Sequence, residues 1–232
     1  MIRDEFYWLS QMNKATIIAN SAGGLLKPQL AHVAAKALKE VIDSGEDPAN
    51  RVRRVIDFEP KLITAAGTSE VTEIHVGRSS QDMHSTFRVA IMRDEVISVA
   101  KSLESVIDAL LELARNHQDT VMPSYTNGVA AQPTSFAHYL LGFIEGFKRD
   151  RVRLTQFFSR LNYCPMGSCV LNGTGWPLNR KLMAKSLGFH APMRIAFDAT
   201  QLAMVDLPVD FVQCQASMAL HIASFIAALP LP

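Results

Sequence analysis

The sequence predicts an all-α fold: a small helical N-terminal subdomain over residues 1–78, followed by a bundle of long helices over residues 79–232. Three observations carry this. Apolar residues recur at alternating spacings of three and four in three long segments, the longest segment contains neither Gly nor Pro, and no alternating strand-like block competes with them.

The longest segment, residues 82–117, places Val96, Val99, Leu103, Val106, Leu110 and Leu113 along one seam. A helix of that length measures roughly 50 Å, more than an ordinary compact domain spans. Residues 135–162 repeat the rhythm through Phe136, Leu140, Phe143, Phe147, Leu154, Phe158 and Leu161, with the charged run Lys148-Arg149-Asp150-Arg151 read as a solvated break. The third segment follows Leu202, Val205, Val209, Val212, Ala216, Ala219, Ala223 and Ile226, with Pro208 marking a kink or a late start. Residues 122–128 and 165–192 read as loops, and the N-terminal helices are separated by Gly23-Gly24, Lys27-Pro28 and a turn at residues 44–48.

Composition narrows the partners. With 23 Lys+Arg against 22 Asp+Glu, no long-range field favours nucleic acid or an acidic membrane face. Cys164, Cys169 and Cys214 read as reduced thiols, which together with an N-terminus lacking a secretion pattern predicts a cytoplasmic protein. Residues 211–229 carry no Asp, Glu, Lys or Arg and could span a bilayer by length. The polar Gln213, Gln215, Ser217, His221 and Ser224 within them favour burial in a protein bundle, so no membrane is expected. So apolar a helix needs neighbours on all sides, which association of copies through the long helices would supply.

Three polar segments fall at helix ends or loops. Around Gly77, the residues Arg78, Ser79, Ser80 and Gln81 combine a five-donor fork with neutral donors at a helix N-terminus, which suits a carboxylate. Equally open on spacing alone is that a serine caps the helix and Arg78 forms a surface ion pair. Thr126, Asn127 and Gln132 surround Gly128 and Pro133, and Gly167-Ser168 with residues 172–175 form a third stretch that lacks the Lys of a phosphate loop. His75 and His84 have no acidic or Cys cluster beside them, so no metal site is expected.

Taken in order, these segments resemble the three signature regions of the argininosuccinate lyases, within the fumarase/aspartase superfamily. His75-Val76-Gly77-Arg78-Ser79-Ser80-Gln81-Asp82 is similar to His-x-Gly-Arg-Ser-Arg-Asn-Asp. Residues 122–127 with Ala131-Gln132-Pro133 are similar to Met-Pro-Gly-Tyr-Thr-His…Ala-Gln-Pro, and residues 164–168, 172–174, 177–180 and 197–200 follow the later regions. The resemblance implies a homotetramer with active sites assembled from three subunits. It also implies cofactor-free anti elimination of an amine from an N-substituted aspartate to give fumarate. Carried over by position, Arg78, Ser79, Ser80, Gln81, Thr126, Asn127 and Gln132 would contact substrate.

Departures matter. Ser80 stands for a second Arg, Gln81 for Asn, and Asn127 for the His that could exchange protons, which turns the expected substrate away from argininosuccinate. The family's Gly-Ser-Ser-x-Met-Pro-x-Lys-x-Asn loop, with its serine base, is not in the sequence, so the bundle is expected to be incomplete at its C-terminal end, the catalytic base is unassigned and the 232 residues alone are expected to be inactive. Two other readings stay open: a catalytically silent helical oligomer, and an enzyme similar to adenylosuccinate lyase or carboxymuconate cycloisomerase, whose Thr-Ser-x-Asp element residues 79–82 also resemble.

Overall fold

Seven α-helices and two small two-stranded sheets make up the computed structural model, which describes residues 3–228. The order is α1 (Glu5–Ala22), α2 (Pro28–Ser44), α3 (Val55–Ala66), α4 (Ser80–Asn116), β1 (Val121–Thr126), β2 (Val129–Ser135), α5 (Phe136–Leu161), β3 (Tyr163–Cys164), α6 (Arg180–Ser186), β4 (Ala191–Pro192) and α7 (Ala203–Ala228). Short 3-10 turns lie at Pro48–Asn50 and Ser69–His75, and a π-turn at Asp198–Leu202 leads into α7. Residues 3–93 with 161–207 form one compact unit, and residues 94–160 with 208–228 another.

In the first unit α1 is the central element. Asp4 caps it by accepting the Tyr7 N–H at 3.0 Å, and buried residues occur around much of its circumference. Three of its buried polar side chains bond back to the helix: Ser10 donates to the Phe6 carbonyl, Asn13 to Leu9 and Thr16 to Met12. Pro28 opens α2 at a position where its missing N–H costs nothing, and Leu30, Ala34, Leu38 and Val41 form its buried stripe. α3 buries Val55, Phe58 and Leu62 and stops at Gly67, whose φ of 67° lets its N–H reach back to the Ile63 carbonyl.

The second unit holds most of α4, all of α5 and most of α7. Along α4 the predicted seam holds at Val96, Leu103 and Leu110, but Val106 and Leu113 are exposed while Ile107 and Ala114 are buried. Leu103, Ile107, Leu110 and Ala114 keep a four-three spacing, so the buried face lies on the other side of the Leu103–Leu110 row from the predicted one. α5 keeps a seven-residue beat through Leu140, Phe147, Leu154 and Leu161, all buried. The charged run does not break this helix. Asp150 is buried and accepts hydrogen bonds from Ser217 and Arg153, so only part of the run is solvated.

α7 corrects the sequence reading twice. The helix runs through Pro208, which is neither its start nor its end. Its buried residues are Leu207, Cys214 and Met218, whereas Leu202, Val205, Val209, Val212 and Ile226 are exposed. A helix apolar on every face gives periodicity nothing to choose between, and among the described residues only one side of α7 is covered. By length and composition Asp198–Ala228 could cross a membrane, and 11% of its most apolar window is buried.

Residues 122–128 are likewise not a simple loop. β1 and β2 pair antiparallel from Val121↔Ser135 to Thr126↔Val129, with an irregularity between Pro123 and Tyr125. Asn127 (φ 51°) and Gly128 (φ 78°) form the two-residue turn. Asn-Gly is the pair best suited to two positive φ angles, and their twist matches that of the strands.

Candidate functional site

The signature turn is organised by Asp82, whose side chain is buried in the first turn of α4. Ser79 caps this helix: its Oγ accepts the Gln81 N–H at 3.2 Å, and Asp82 Oδ1 accepts the Ser79 N–H at 2.9 Å. The second is the return bond of a capping box, and the first caps the helix through its second N–H. Asp82 Oδ2 reaches across the unit and accepts the N–H groups of Gly167 at 2.8 Å and Cys169 at 2.9 Å. Both donors have left-handed backbones, φ 82° and 56°, which turn their N–H groups toward one anion. Burial pushes the Asp82 carboxyl up to about 6, against the amide donors and Arg78, which favour its charged form.

The third polar segment is folded around this bond. Ser168 donates to the Pro165 carbonyl at 2.6 Å and accepts from Arg180 Nη2 at 3.1 Å, while Arg180 Nε donates to the Met166 carbonyl. Gly77 has φ 72°, and a Cβ there would stand 2.5 Å from the Leu178 side chain. The glycine therefore serves both the turn and the close approach of residues 177–180.

Arg78 faces inward, and its guanidinium is buried. Nη2 donates to Asn13 Oδ1 at 2.7 Å, Nη1 to Thr16 Oγ1 at 3.0 Å, and Nε to His75 Nδ1 at 3.2 Å. His75 Nε2 lies 3.2 Å from Arg78 Nη2 and 3.3 Å from Glu59. Burial, with the Arg78 charge adding to it, drives His75 down to about 3. Burial lowers Arg78 to about 10, still charged at neutral pH. The surface ion pair left open by the sequence is not what Arg78 makes; the serine cap is what Ser79 makes.

Ser79 is half-buried, and Ser80 and Gln81 are exposed. Gln81 Nε2 donates to the Thr200 carbonyl at 3.4 Å, joining the segment at residues 197–200 to the turn. Arg78, Ser79, Ser80 and Gln81 are thus gathered with the third and fourth sequence segments in one unit. Thr126, Asn127 and Gln132 lie exposed on the hairpin of the other unit. Asp82 belongs to the matched motif but not to the expected contact residues, although Ser-x-x-Asp ahead of a long helix is the signal for a capping box.

Chemically, the turn offers neutral donors at the positive end of a 37-residue helix, a setting that favours a carboxylate. Its titratable groups are committed: Asp82 to amides, His75 to Arg78 and Glu59. Among the described residues no group of three or more His, Cys, Asp or Glu could hold a metal ion. Cys164 is an inert thiol, pushed by burial up to about 12.

Comparison with known proteins agrees with the motifs. The lyase family profile matches residues 8–229. The chain is 32% identical over 209 residues to the argininosuccinate lyase of Thermoanaerobacter sp. (strain X514), covering 89% of this chain and 46% of that enzyme. It therefore spans about half the length of such relatives. Among solved structures, EDDS lyase in complex with formate superposes with TM-score 0.90 at 25% identity, over 96% of this chain and 44% of that one. Class II fumarase from Schistosoma mansoni shares the fold, with TM-score 0.80 at 17% identity, over 95% of this chain and 55% of that one.

Proposed function

We propose, given that this chain belongs to the lyase family as an argininosuccinate lyase-like member of the fumarase/aspartase superfamily, that it serves carbon–nitrogen lyase chemistry. The reaction would be anti elimination of an amine from an N-substituted aspartate, with release of fumarate. Such a reaction needs donors that hold the substrate carboxylates and groups that move protons at Cβ and at the departing amine.

The observation that carries this reading is the capped turn. Asp82 fixes the backbone of residues 79–82, and the exposed Ser80 and Gln81 stand at the N-terminus of α4. In this reading Ser79, Ser80 and Gln81 hold a carboxylate. Arg78 is a positioning residue that pins the turn to Asn13 and Thr16 and adds a buried positive charge. Thr126 and Gln132 add polar contacts from the hairpin, while Asn127, an amide, orients without exchanging protons. Ser80 in place of a second Arg, together with the likeness to EDDS lyase, supports a substrate other than argininosuccinate. Association into a tetramer through the long helices is part of the proposal, supported by the exposed apolar residues of α7.

The test pairs binding with turnover. Fumarate and succinate are titrated into the labelled protein while amide shifts are followed, and enoate release is assayed by ultraviolet absorbance over a panel of N-substituted aspartates. Shifts centred on residues 79–81, weakened about tenfold in Gln81→Ala, are expected. Absence of any dicarboxylate response at that turn sinks the assignment. A second reading, a catalytically silent oligomer, is favoured by Asn127 in place of an imidazole; it predicts assembly in sedimentation without turnover, even in the presence of saturable binding.

A further inference from the structure

In the first unit α2 returns along α1 and leaves a cavity beside its own C-terminal end. Gly45, the residue just past α2, packs on the ring of Phe6 in the first turn of α1, so closely that a Cβ there would run into the ring. Beside this contact a cavity of about 460 Å³ opens between one flank of α1 and residues 42–51, within the range of about 300–1,000 Å³ usual for small-molecule sites. Its whole lining belongs to the first unit, whereas the association proposed above runs through the long helices, most of whose length lies in the second.

Two of the charges that line the cavity are committed to other groups, and the two that are not differ in sign. Arg51 donates to Asp4 Oδ2 at 2.8 Å and to the Gly45 carbonyl at 2.9 Å, and its guanidinium lies 4.8 Å from the centroid of the Phe6 ring. Asp43 is held by Lys39. Lys14 and Glu46 are exposed, and among the described residues neither side chain makes a hydrogen bond or an ion pair. Glu46 stands just past the carbonyl end of α2, whose last turn holds no basic residue, so the helix itself brings no cation to its negative end.

These two charges sit at opposite ends of the cavity. Glu46 follows Gly45 and so lies near the level of Phe6, while Lys14 is eight residues further along α1, about 12 Å by helical rise. Helix side chains lean toward the N-terminus, which carries the Lys14 ammonium back over the cavity. Phe6, Tyr7, Ile42 and Pro48 supply an apolar wall, and the Ser10 hydroxyl is bonded to the Phe6 carbonyl. Asn13 and Thr16, which hold Arg78, fall on another side of α1 at about 100° per residue. The cavity is therefore separate from the signature turn.

We propose that this cavity binds a small elongated zwitterion, an ω-amino acid whose ammonium is taken by Glu46 and whose carboxylate is taken by Lys14, with its methylenes on the apolar wall. The ligand ammonium donates to a carboxylate and the ligand carboxylate accepts from an ammonium, so both ends are matched in charge and in hydrogen-bonding role. A dicarboxylate would set one of its ends against Glu46, and a diamine one of its ends against Lys14. The ligand class thus differs from that of the signature turn, and the site does not rest on the lyase reading.

The probe is 6-aminohexanoate, added to the full 232-residue chain and followed by calorimetry and by the amide shifts of residues 6–14 and 42–51. Its methylenes hold the two charges about 7–8 Å apart, and a charge-assisted hydrogen bond of about 2.8 Å at each end lets it span the cavity. Hexanoate and hexylamine, which keep one charge each, and glycine, whose charges are too close to reach both ends, are the controls. Saturable binding of 6-aminohexanoate is expected, at least about tenfold tighter than any control. Lys14→Gln should weaken it about tenfold and leave hexylamine unchanged, and Glu46→Gln should weaken it about tenfold and leave hexanoate unchanged. Both positions are exposed, so neither change threatens the fold. No saturation at about 50 mM probe, equal binding of any control, or indifference to either substitution overturns the proposal. Neither lyase turnover nor dicarboxylate binding at residues 79–81 enters the readout, so the two assignments succeed or fail separately.

Discussion

Asp82 and Gly167, 85 residues apart in sequence, are joined by a 2.8 Å hydrogen bond from a backbone N–H to a fully buried carboxylate. Through that bond and its companion from Cys169, one side chain caps α4 and sets the conformation of residues 165–169. The polar signature is therefore first a folding device, and its exposed face is a consequence of what lies beneath.

Removing that carboxylate should be expensive. Asp82→Ala leaves three N–H donors without their acceptor, two of them in the buried segment, and is expected to cost about 3 kcal/mol. Asp82→Asn keeps one carbonyl oxygen for Gly167 and Cys169 but sets an amide group against the Ser79 N–H, and should cost roughly half as much. Urea unfolding of the two variants measures both; equal and small losses would show that the loop is held by other contacts.

Gly77 combines two constraints that can be separated. Its φ of 72° penalises any side chain by about 1–2 kcal/mol, and the Leu178 side chain would lie 2.5 Å from the new Cβ, adding about 1–3 kcal/mol of overpacking. In a double-mutant cycle, Leu178→Ala should relieve the second part of the Gly77→Ala loss and leave the first. A cycle without coupling would mean that the leucine moves aside freely.

The hairpin should respond to its turn rather than to its strands, which are largely exposed. Gly128→Val, at φ 78°, is expected to cost about 1–2 kcal/mol of local stability, read as faster hydrogen exchange at the amides of residues 121–135 that pair across the strands. Asn127→His should leave exchange nearly unchanged, because His enters the left-handed region more readily than most residues. That variant also restores an imidazole at the hairpin tip, so any gain in enoate release reports on the proton-transfer position separately from folding.

How much of this was legible depended on whether the signal was local. The long helices were readable because the spacing of Leu103, Leu110, Leu140, Phe147, Leu154 and Leu161 repeats within each segment. The buried face of α7 was not, because it is apolar all round and its orientation is decided by Asp150, 67 and 71 residues from Ser217 and His221. Asp150 itself looked solvated because its neighbours in sequence are charged, while its partners come from another helix. The hairpin carried its own Asn-Gly signal, masked by Pro123 and Pro133, which sit opposite each other and donate no ladder bonds. Arg78 could be recognised as a donor, but only α1 reveals that its donors point at Asn13 and Thr16.

Two groups in the signature turn give opposite pH dependence. His75, driven down to about 3, stays neutral in the fold while the unfolded histidine takes up a proton near 6.5. The unfolded chain then binds the extra proton, and stability falls as pH drops from 6.5 toward 3. Asp82, raised to about 6 from 3.8, takes its proton in the fold first, so stability rises as pH drops from 6 to 3.8. Each slope approaches about 1.4 kcal/mol per pH unit at most, and between pH 6 and 4 they largely cancel. Urea midpoints across that interval should therefore separate the variants: His75→Gln becomes more stable relative to the parent on acidification, and Asp82→Asn less stable. Other titrating groups are common to all three proteins and drop out of the differences. Parallel curves would show that the fold shifts neither group.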